Sequence, residues 1–372
     1  MYQKKGIGLC CFTCLYFGLK AQPAQDSTSN NKWSHHFQLT VIAQKHSGFH
    51  AAYSGDKSLS DTVEPFAMSL TSTLYLSRKL WKGAALYVNP ELSGGRGLSY
   101  ATGVAGALNG ETYRVGATEP QAFIARAYLE QIIPLGKTKY IYQEEDVNQV
   151  AEKLPASRLV FRAGKFAISD FYDDNRYSKD PRSQFLNWSV WANGAWDYPA
   201  NTRGYTMGAV MEMIQPGLEI RFSSVAVPRI ANGAGMEYSF TKAHSETFEI
   251  THSLQINRHP GTVRLLLTHT ASRAPSYAQG RQALAEKDST LLDVIQGNTE
   301  NISFGGRKTG VGLNIEQEIS TSIGFFSRLG WNDGKHVSWA FTEIDRTVSM
   351  GITMNGTNWN RPNDVWGIAV VT

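Results

Sequence analysis

From residue 33 onward, apolar and polar residues alternate one by one along the chain. Phe66, Met68, Leu70, Leu74 and Leu76 hold one parity, while Ser69, Thr71, Thr73 and Ser77 hold the other. Phe37, Leu39 and Val41 alternate with Gln38 and Thr40, and Leu218, Ile220 and Phe222 with Glu219, Arg221 and Ser223. Val263, Leu265 and Leu267 oppose Arg264 and Thr268, and Val311, Leu313, Ile315 and Ile319 oppose Asn314, Glu316 and Glu318. A period of two is that of a strand with two unlike faces, since a helix would space its apolar residues by three and four. About thirteen strands are predicted, at 33–44, 66–78, 84–91, 122–133, 157–168, 204–214, 218–227, 244–256, 262–271, 308–319, 323–331, 340–354 and 364–372. Most have the roughly 9–11 residues that a tilted strand needs to cross a hydrocarbon core. In this register Leu265 faces outward and Leu266 inward, so arginine should be tolerated at 266 and not at 265.

The connections sort by parity. Those at 45–65, 92–121, 169–203, 228–243, 272–307 and 332–339 are mostly long, whereas 79–83, 215–217, 257–261, 320–322 and 355–363 are short. Short turns at one end and long loops at the other mark an outer-membrane barrel. A soluble sandwich or propeller has no reason to sort its loops in this way. One connection, 134–156, breaks the rule. The fold class expected is all-β, an antiparallel transmembrane β-barrel.

The first residues change the picture of where the chain works. Lys4 and Lys5 precede an apolar run from Gly6 to Leu19, then Ala21 and a polar stretch, the order of a secretory signal peptide. A lipoprotein leader is the alternative, but Cys10, Cys11 and Cys14 follow Leu, Cys and Thr rather than a small residue. These are the only three cysteines, so the chain beyond the leader has no thiol or disulfide framework. No later run approaches the ~18 apolar residues of a membrane helix. The organisation expected is a signal peptide at 1–21, a flexible stub at 22–32 and a barrel domain at 33–372, located in the cell outer membrane. Net charge is +4, and removing the leader's three lysines leaves 33 basic against 32 acidic residues. That near-neutrality speaks against a nucleic-acid partner.

Candidate chemistry lies on the inward strand faces and in one loop. Arg126, Glu130, Arg162, Glu212, Arg221, Glu249, Arg264, Glu316, Arg328, Glu343 and Asp345 share the inward parity, where rings of charge set what passes a pore. A wide barrel is polar inside in any case, so such charge by itself does not establish selectivity. The third long loop, within 164–204, adds Asp170, Asp173, Asp174, Asp180, Asp197, Arg176, Arg182 and Arg203 among Phe171, Tyr172, Trp188, Trp191, Trp196 and Tyr198. Aromatic faces stack on sugar C–H faces while carboxylates, Asn and Arg take hydroxyls. An interfacial aromatic girdle with loop-packing ion pairs is the structural alternative. Paired carboxylates also raise a glycosidase reading, but nothing in the sequence sets their separation. The run Asp170 to Asn175 lacks the glycine and final glutamate of a calcium loop, and no phosphate loop, zinc helix or serine elbow is present. No metal, cofactor or catalytic residue is expected.

On these residues the chain resembles the carbohydrate-selective porin family of the OprB type. The blocks that carry the resemblance are NPELSGGRGLSYATGVAGALNGETYRVG at 89–116, ARAYLEQ at 125–131, the 164–204 loop, GLNIEQE at 312–318 and RLGWNDGKHVSWAFTEIDR at 328–346. The resemblance implies a sixteen-stranded barrel, passive uptake of mono- and oligosaccharides, and a pore narrowed by an inward-folded loop, here 169–203. It also implies a pore-lining role for Glu91, Arg96, Asp170, Asp173, Asn175, Arg182, Asn187, Asp197 and Arg203, and for Glu343 and Asp345 in the last long strand. Trp188 and Trp196 join them as sugar-stacking candidates. The chain departs from the pattern in lacking closing strands with a terminal aromatic residue, and in the length of 134–156. Thirteen is odd where such barrels close with an even number, so about three further strands are expected. A hydrogen-bond ladder between 364–372 and 33–44 would speak against that. The partners expected are sugars, outer-membrane lipid and the barrel-assembly machinery, with oligomeric state left open. A general unselective porin, a structural barrel and an enzyme on a barrel scaffold are the rival readings.

Overall fold

The computed structural model describes residues 13–20, 32–55, 58–101, 107–111, 118–288, 304–340 and 342–372. Its first strands are β1 (Thr13–Lys20), β2 (Trp33–His46), β3 (Glu64–Lys79), β4 (Ala84–Gly95) and β5 (Gln121–Pro134). A small hairpin follows, β6 (Tyr140–Gln143) with β7 (Glu152–Pro155), then β8 (Arg158–Phe166), β9 (Thr206–Gln215) and β10 (Leu218–Val225). The two-residue strands β11 (Val227–Pro228) and β12 (Met236–Glu237) pair with each other. The chain continues through β13 (His244–Ile256), β14 (His259–Ser272), β15 (Gly306–Ser320), β16 (Ile323–Asn332), β17 (Arg346–Asn355) and β18 (Val365–Val371). Two helices, α1 (Trp188–Trp191) and α2 (Tyr277–Glu286), sit in long loops. Fourteen strands, all except β6, β7, β11 and β12, form one sheet in sequence order with antiparallel neighbours.

All thirteen strands expected from the alternation are there, β2 to β5, β8 to β10 and β13 to β18. Residues 13–20, within the expected leader, lie along the outer edge of β2 from Thr13 opposite Lys45 to Lys20 opposite Gln38. Among the described residues no ladder joins β18 to β2. The tight turns follow their chemistry. Pro216 and Gly217 join β9 to β10, with Gly217 at φ +81°, and Asn257 and Arg258 turn with positive φ between β13 and β14.

One strand starts later than expected. β17 begins at Arg346, so Glu343 and Asp345 stand exposed in the connection before it rather than inward on a strand. The reason is visible in the backbone donors. The N–H groups of Trp339, Ala340 and Thr342 all go to the Asp197 carboxylate, and Asn332 donates to the carbonyls of Ile344 and Asp345. Backbone groups spent on side chains cannot extend a ladder.

The distribution of burial is the reverse of a soluble protein's. Outward Phe66, Met68, Leu74, Leu129, Phe222, Leu265, Val311 and Ile352 are exposed, while inward Thr40, Thr71, Thr73, Glu249, Asn314, Arg328 and Ser349 are buried. Such a surface suits lipid outside and a polar interior. No described helix is long and apolar enough to cross a membrane. Leu265 and Leu266 face opposite ways as expected, with exposures of 41% and 3%. Leu266 packs in an interior apolar cluster, so an arginine there would meet the loop rather than open water.

The sheet must also curl. The loop between β8 and β9 touches β3 through Arg182 and β16 through Asp173, both on the inward face. Those strands are nine steps apart in the sheet order, roughly 43 Å if flat at about 4.8 Å per step. Residues 173 to 182 could not span that even when fully extended, at most about 32 Å, and they form a compact turn-rich segment. The strands therefore wrap around the loop.

Candidate functional site

The inward wall carries charges of alternating sign, and the strand register explains their pairing. Glu130 stands opposite Arg162, and Arg221 opposite both Glu212 and Glu249. Arg162 binds Glu130 at 2.6 Å and Glu212 at 2.9 Å, and Arg221 binds Glu212 and Glu249 at 3.0 Å each. Arg221 also pairs with Glu219, and further round the wall Arg264 binds Glu316 at 3.2 Å. Each of these acids except Glu219, which pairs along its own strand, thus has a cation on a neighbouring strand, so that charges taken out of water are paired.

The loop 167–205 lies inside this wall and is tied to β13–β16. Asp173 is its anchor. Its backbone N–H donates to Glu249 Oε2 at 2.7 Å, Asn314 Nδ2 donates to its Oδ1 at 2.6 Å, and Asn193 N donates to its Oδ2 at 2.7 Å. Arg328 Nε reaches both carboxylate oxygens at 3.0 Å. The Arg328 side chain is fully buried, and its remaining donors go to Val190 O, Ser178 O, Ser178 Oγ and Asp173 O. Asn175 donates to Asn314 Oδ1, and Arg176 N donates to Glu316 Oε2. Inward glycines on the wall make room for the loop. A Cβ at Gly330 would lie 2.9 Å from both Asn193 Cγ and Thr347 Cγ2, and one at Gly324 would fall within the Tyr177 ring. A Cβ at Gly367 would lie 2.8 Å from Phe185 Cζ.

The loop's aromatics form its own core. Tyr172, Trp188, Trp191, Trp196 and Tyr198 are buried with wall residues Tyr87, Tyr128, Val210 and Leu266. Trp196 packs edge-on against Tyr172 and Tyr198, with centroids 6.1 and 5.5 Å apart. Asn187 caps α1 by accepting from Ser189 N. Asp197 accepts the three backbone donors of 339–342 and lies 3.5 Å from Lys308 Nζ.

A different group converges on the β2–β5 side. Arg126 on β5 grips Asp170 with two bonds of 2.7 Å and lies 5.5 Å from the Tyr205 ring. Tyr205 OH donates to Glu91 Oε1 at 3.1 Å, and Thr73 Oγ1 donates to Glu91 Oε2 at 2.6 Å. Arg182 lies 3.6 Å from Glu91, binds Glu111 at 2.8 Å, and donates to Tyr75 OH and Gln38 Oε1 at 2.7 and 3.0 Å. Burial pushes the Glu111 carboxyl up, an effect that the adjacent Arg182 only partly offsets. Arg203 stacks over Phe123 at 4.2 Å and donates to Gln121.

The thirteen predicted site residues therefore separate. Glu91, Asp170, Arg182 and Arg203 gather near β2–β5. Asp173, Asn175, Trp188, Trp196 and Asp197 are buried within the loop or its seat, and Asn187, half-buried, caps α1 beside them. Arg96 stacks on Tyr100 at 5.1 Å, apart from both groups, and Glu343 and Asp345 are exposed on the 333–345 connection. Sequence reasoning missed Tyr75, Gln38, Tyr205 and Glu111 in the first group. The inward parity of β2 and β3 could have revealed the first two, whereas Tyr205 and Glu111 carry no periodic signal. Among the described residues there is no cluster of three or more His, Cys, Asp or Glu able to hold a metal.

Comparison with known proteins fits this geometry. A solved structure of Pseudomonas putida OprB at high pH is similar, with a TM-score of 0.59 at 17% identity over 91% of this chain and 74% of that one. Salmonella typhi OmpF complexed with daunomycin aligns over 97% of this chain and 95% of its own at 10% identity, with a TM-score of 0.27 that bears no weight. No curated protein sequence matches. The profile of the carbohydrate-selective porin, OprB family, matches residues 62–372, nearly all of the barrel. This chain belongs to that family of outer-membrane carbohydrate porins.

Proposed function

We propose that the chain passes small neutral carbohydrates by diffusion along the β2–β5 side of the lumen, where Arg126, Asp170, Glu91, Arg182 and Arg203 meet Tyr75 and Tyr205. The observation that carries this reading is the convergence of both charge signs with aromatic rings beside a loop that is anchored on β13–β16. Paired ions of this kind can trade hydrogen bonds with sugar hydroxyls while leaving no net field to favour a charged solute. In this reading Asp173, Asn175, Asn187, Trp188, Trp196 and Asp197 act at one remove, by holding the loop, and Arg96, Glu343 and Asp345 stay clear of the narrowest point.

Transport without catalysis is part of the proposal. Asp170 accepts both of its bonds from Arg126, and Glu91 accepts from Thr73 and Tyr205, so both carboxylates are tied into the wall and the loop. Residues 1–21 serve export in the same reading, the outward apolar residues face outer-membrane lipid, and the barrel-assembly machinery inserts the chain.

Planar-bilayer recording with a panel of sugars tests the function. Saturable, sugar-dependent block of the current is expected, and deleting 176–195 should raise single-channel conductance. Linear, unblocked current would favour the general unselective porin. Unchanged conductance after the deletion, with the barrel intact, would remove the loop from the solute path.

A further inference from the structure

The connection 135–157 is the one that breaks the loop parity, and its fold is informative. The other turns at that end of the sheet are 80–83, 216–217, 257–258, 321–322 and 356–364. Here the chain instead builds the β6–β7 hairpin, paired from Tyr140 opposite Pro155 to Gln143 opposite Glu152. Its base is pinned by Leu135 N donating to Ser157 O at 2.9 Å and Ala156 N to Lys139 O at 2.8 Å. Its tip turns at Asp146 and Gln149, which exchange backbone bonds of 2.9 and 3.2 Å.

One side of the hairpin is exposed, at Tyr140, Ile141, Tyr142 and Val147, and the other packs on the wall. Leu154 is buried with Ile132 of β5 and Val160 of β8, and Ile214 of β9 packs against them. Val150 is buried in the cluster that includes Ala85 and Tyr87 of β4. Lys79 of β3 donates through Nζ to the carbonyl of Ala151, and His36 of β2 lies 3.4 Å from Glu145. Six consecutive strands, β2 to β5, β8 and β9, thus each hold a piece of this one segment. They cover five strand spacings, roughly 24 Å of curved wall. A segment held by inward residues along that arc lies against the inside of the wall at this mouth and narrows it, since Val150 and Leu154 are buried there rather than left in water.

We propose that residues 135–157 form a second constriction at the inner mouth, which solute passes in series with the loop 167–205, and that its tip carboxylates Glu144, Glu145 and Asp146 give this mouth a preference for cations over anions. The proposal rests on the porin reading, but its readout is ionic current, so it stands or falls independently of sugar selectivity. Two narrow segments in series add their resistances, and either one can limit the size of what passes. Glu144, Glu145 and Asp146 are exposed, Glu145 lies 3.4 Å from His36, and the segment carries the acids Glu144, Glu145, Asp146 and Glu152 against the lysines Lys137, Lys139 and Lys153, one acid in excess.

The test uses the full chain in planar bilayers. Replacing 141–151 by Gly-Ser-Gly should raise single-channel conductance by about 1.5-fold or more. The triple substitution E144Q/E145Q/D146N should move the reversal potential under a salt gradient toward anions. A third variant guards against an assembly failure of the first. Glu145→Cys, with Cys10, Cys11 and Cys14 changed to Ser, should lose current when a bulky maleimide is added from the inner side. Normal heat-modifiable barrels whose current ignores both the shortened hairpin and a fully modified Cys at 145 would overturn the constriction. An unmoved reversal potential in the triple variant would overturn the role of the carboxylates.

Discussion

Arg328→Met puts the anchoring of the loop to the most direct test. The guanidinium is fully buried and uses every donor: Nε on both Asp173 oxygens at 3.0 Å, and the terminal nitrogens on Val190 O, Ser178 O, Ser178 Oγ and Asp173 O. Removing one partner of a buried, hydrogen-bonded ion pair costs about 3–5 kcal/mol, because the other charge stays desolvated. At 1.4 kcal/mol per factor of ten, the ratio of seated to released loop should fall by roughly 10² to 10⁴. The barrel wall should survive, since β16 is held to β15 and β17 by backbone ladders that the substitution does not touch. The expected result is a normal heat shift on gels with higher, noisier single-channel conductance. Asp173→Asn keeps a residue that tolerates the left-handed backbone there, φ +52°. Combined with Arg328→Met it should recover part of the loss, with a coupling of about 2 kcal/mol in a double-mutant cycle. Conductance and noise identical to the parent in Arg328→Met would refute the anchor.

Leu265→Arg should impair assembly by about 2–4 kcal/mol, because it drives a charge into hydrocarbon, whereas Leu266→Arg should disturb only the loop packed on it. Equal loss of the heat-modifiable form in both would mean that the assigned faces are wrong. Gly330→Ala should displace Asn193 from the wall at a cost of about 1–3 kcal/mol, read as faster tryptic cleavage at Arg176 or Arg182, and unchanged cleavage would place Asn193 elsewhere. Arg162→Gln leaves Glu130 without its wall cation and should shift the reversal potential toward cations. No shift would take the β5–β9 charges off the conduction path.

Strand number and strand face were legible in the sequence because both depend on neighbours one and two residues away. Leu265 and Leu266 are assigned to opposite sides by parity alone, and the same parity puts Glu130, Arg162, Glu212, Arg221 and Glu249 on one face, where the register then pairs them. The loop 169–203 was identifiable by composition, but composition does not say which of its groups meet solute. Asp170 and Asp173 are three residues apart with the same chemistry. Only the path of the folded loop sends one to Arg126 at the β2–β5 side and the other to Arg328, 155 residues away in sequence. The tryptophans looked like sugar platforms and became the loop's own core, because a loop that enters a lumen must bury apolar surface somewhere and its own aromatics are closest. The glycines at 312, 324 and 330 add nothing to the alternation, and only the folded loop shows why they are small, since Asn193 and Tyr177 occupy the space they leave. Likewise, Glu343 and Asp345 alternate as a strand should. Asp197, far away in sequence, takes the backbone donors just before them, and that competition was decided by tertiary contact alone.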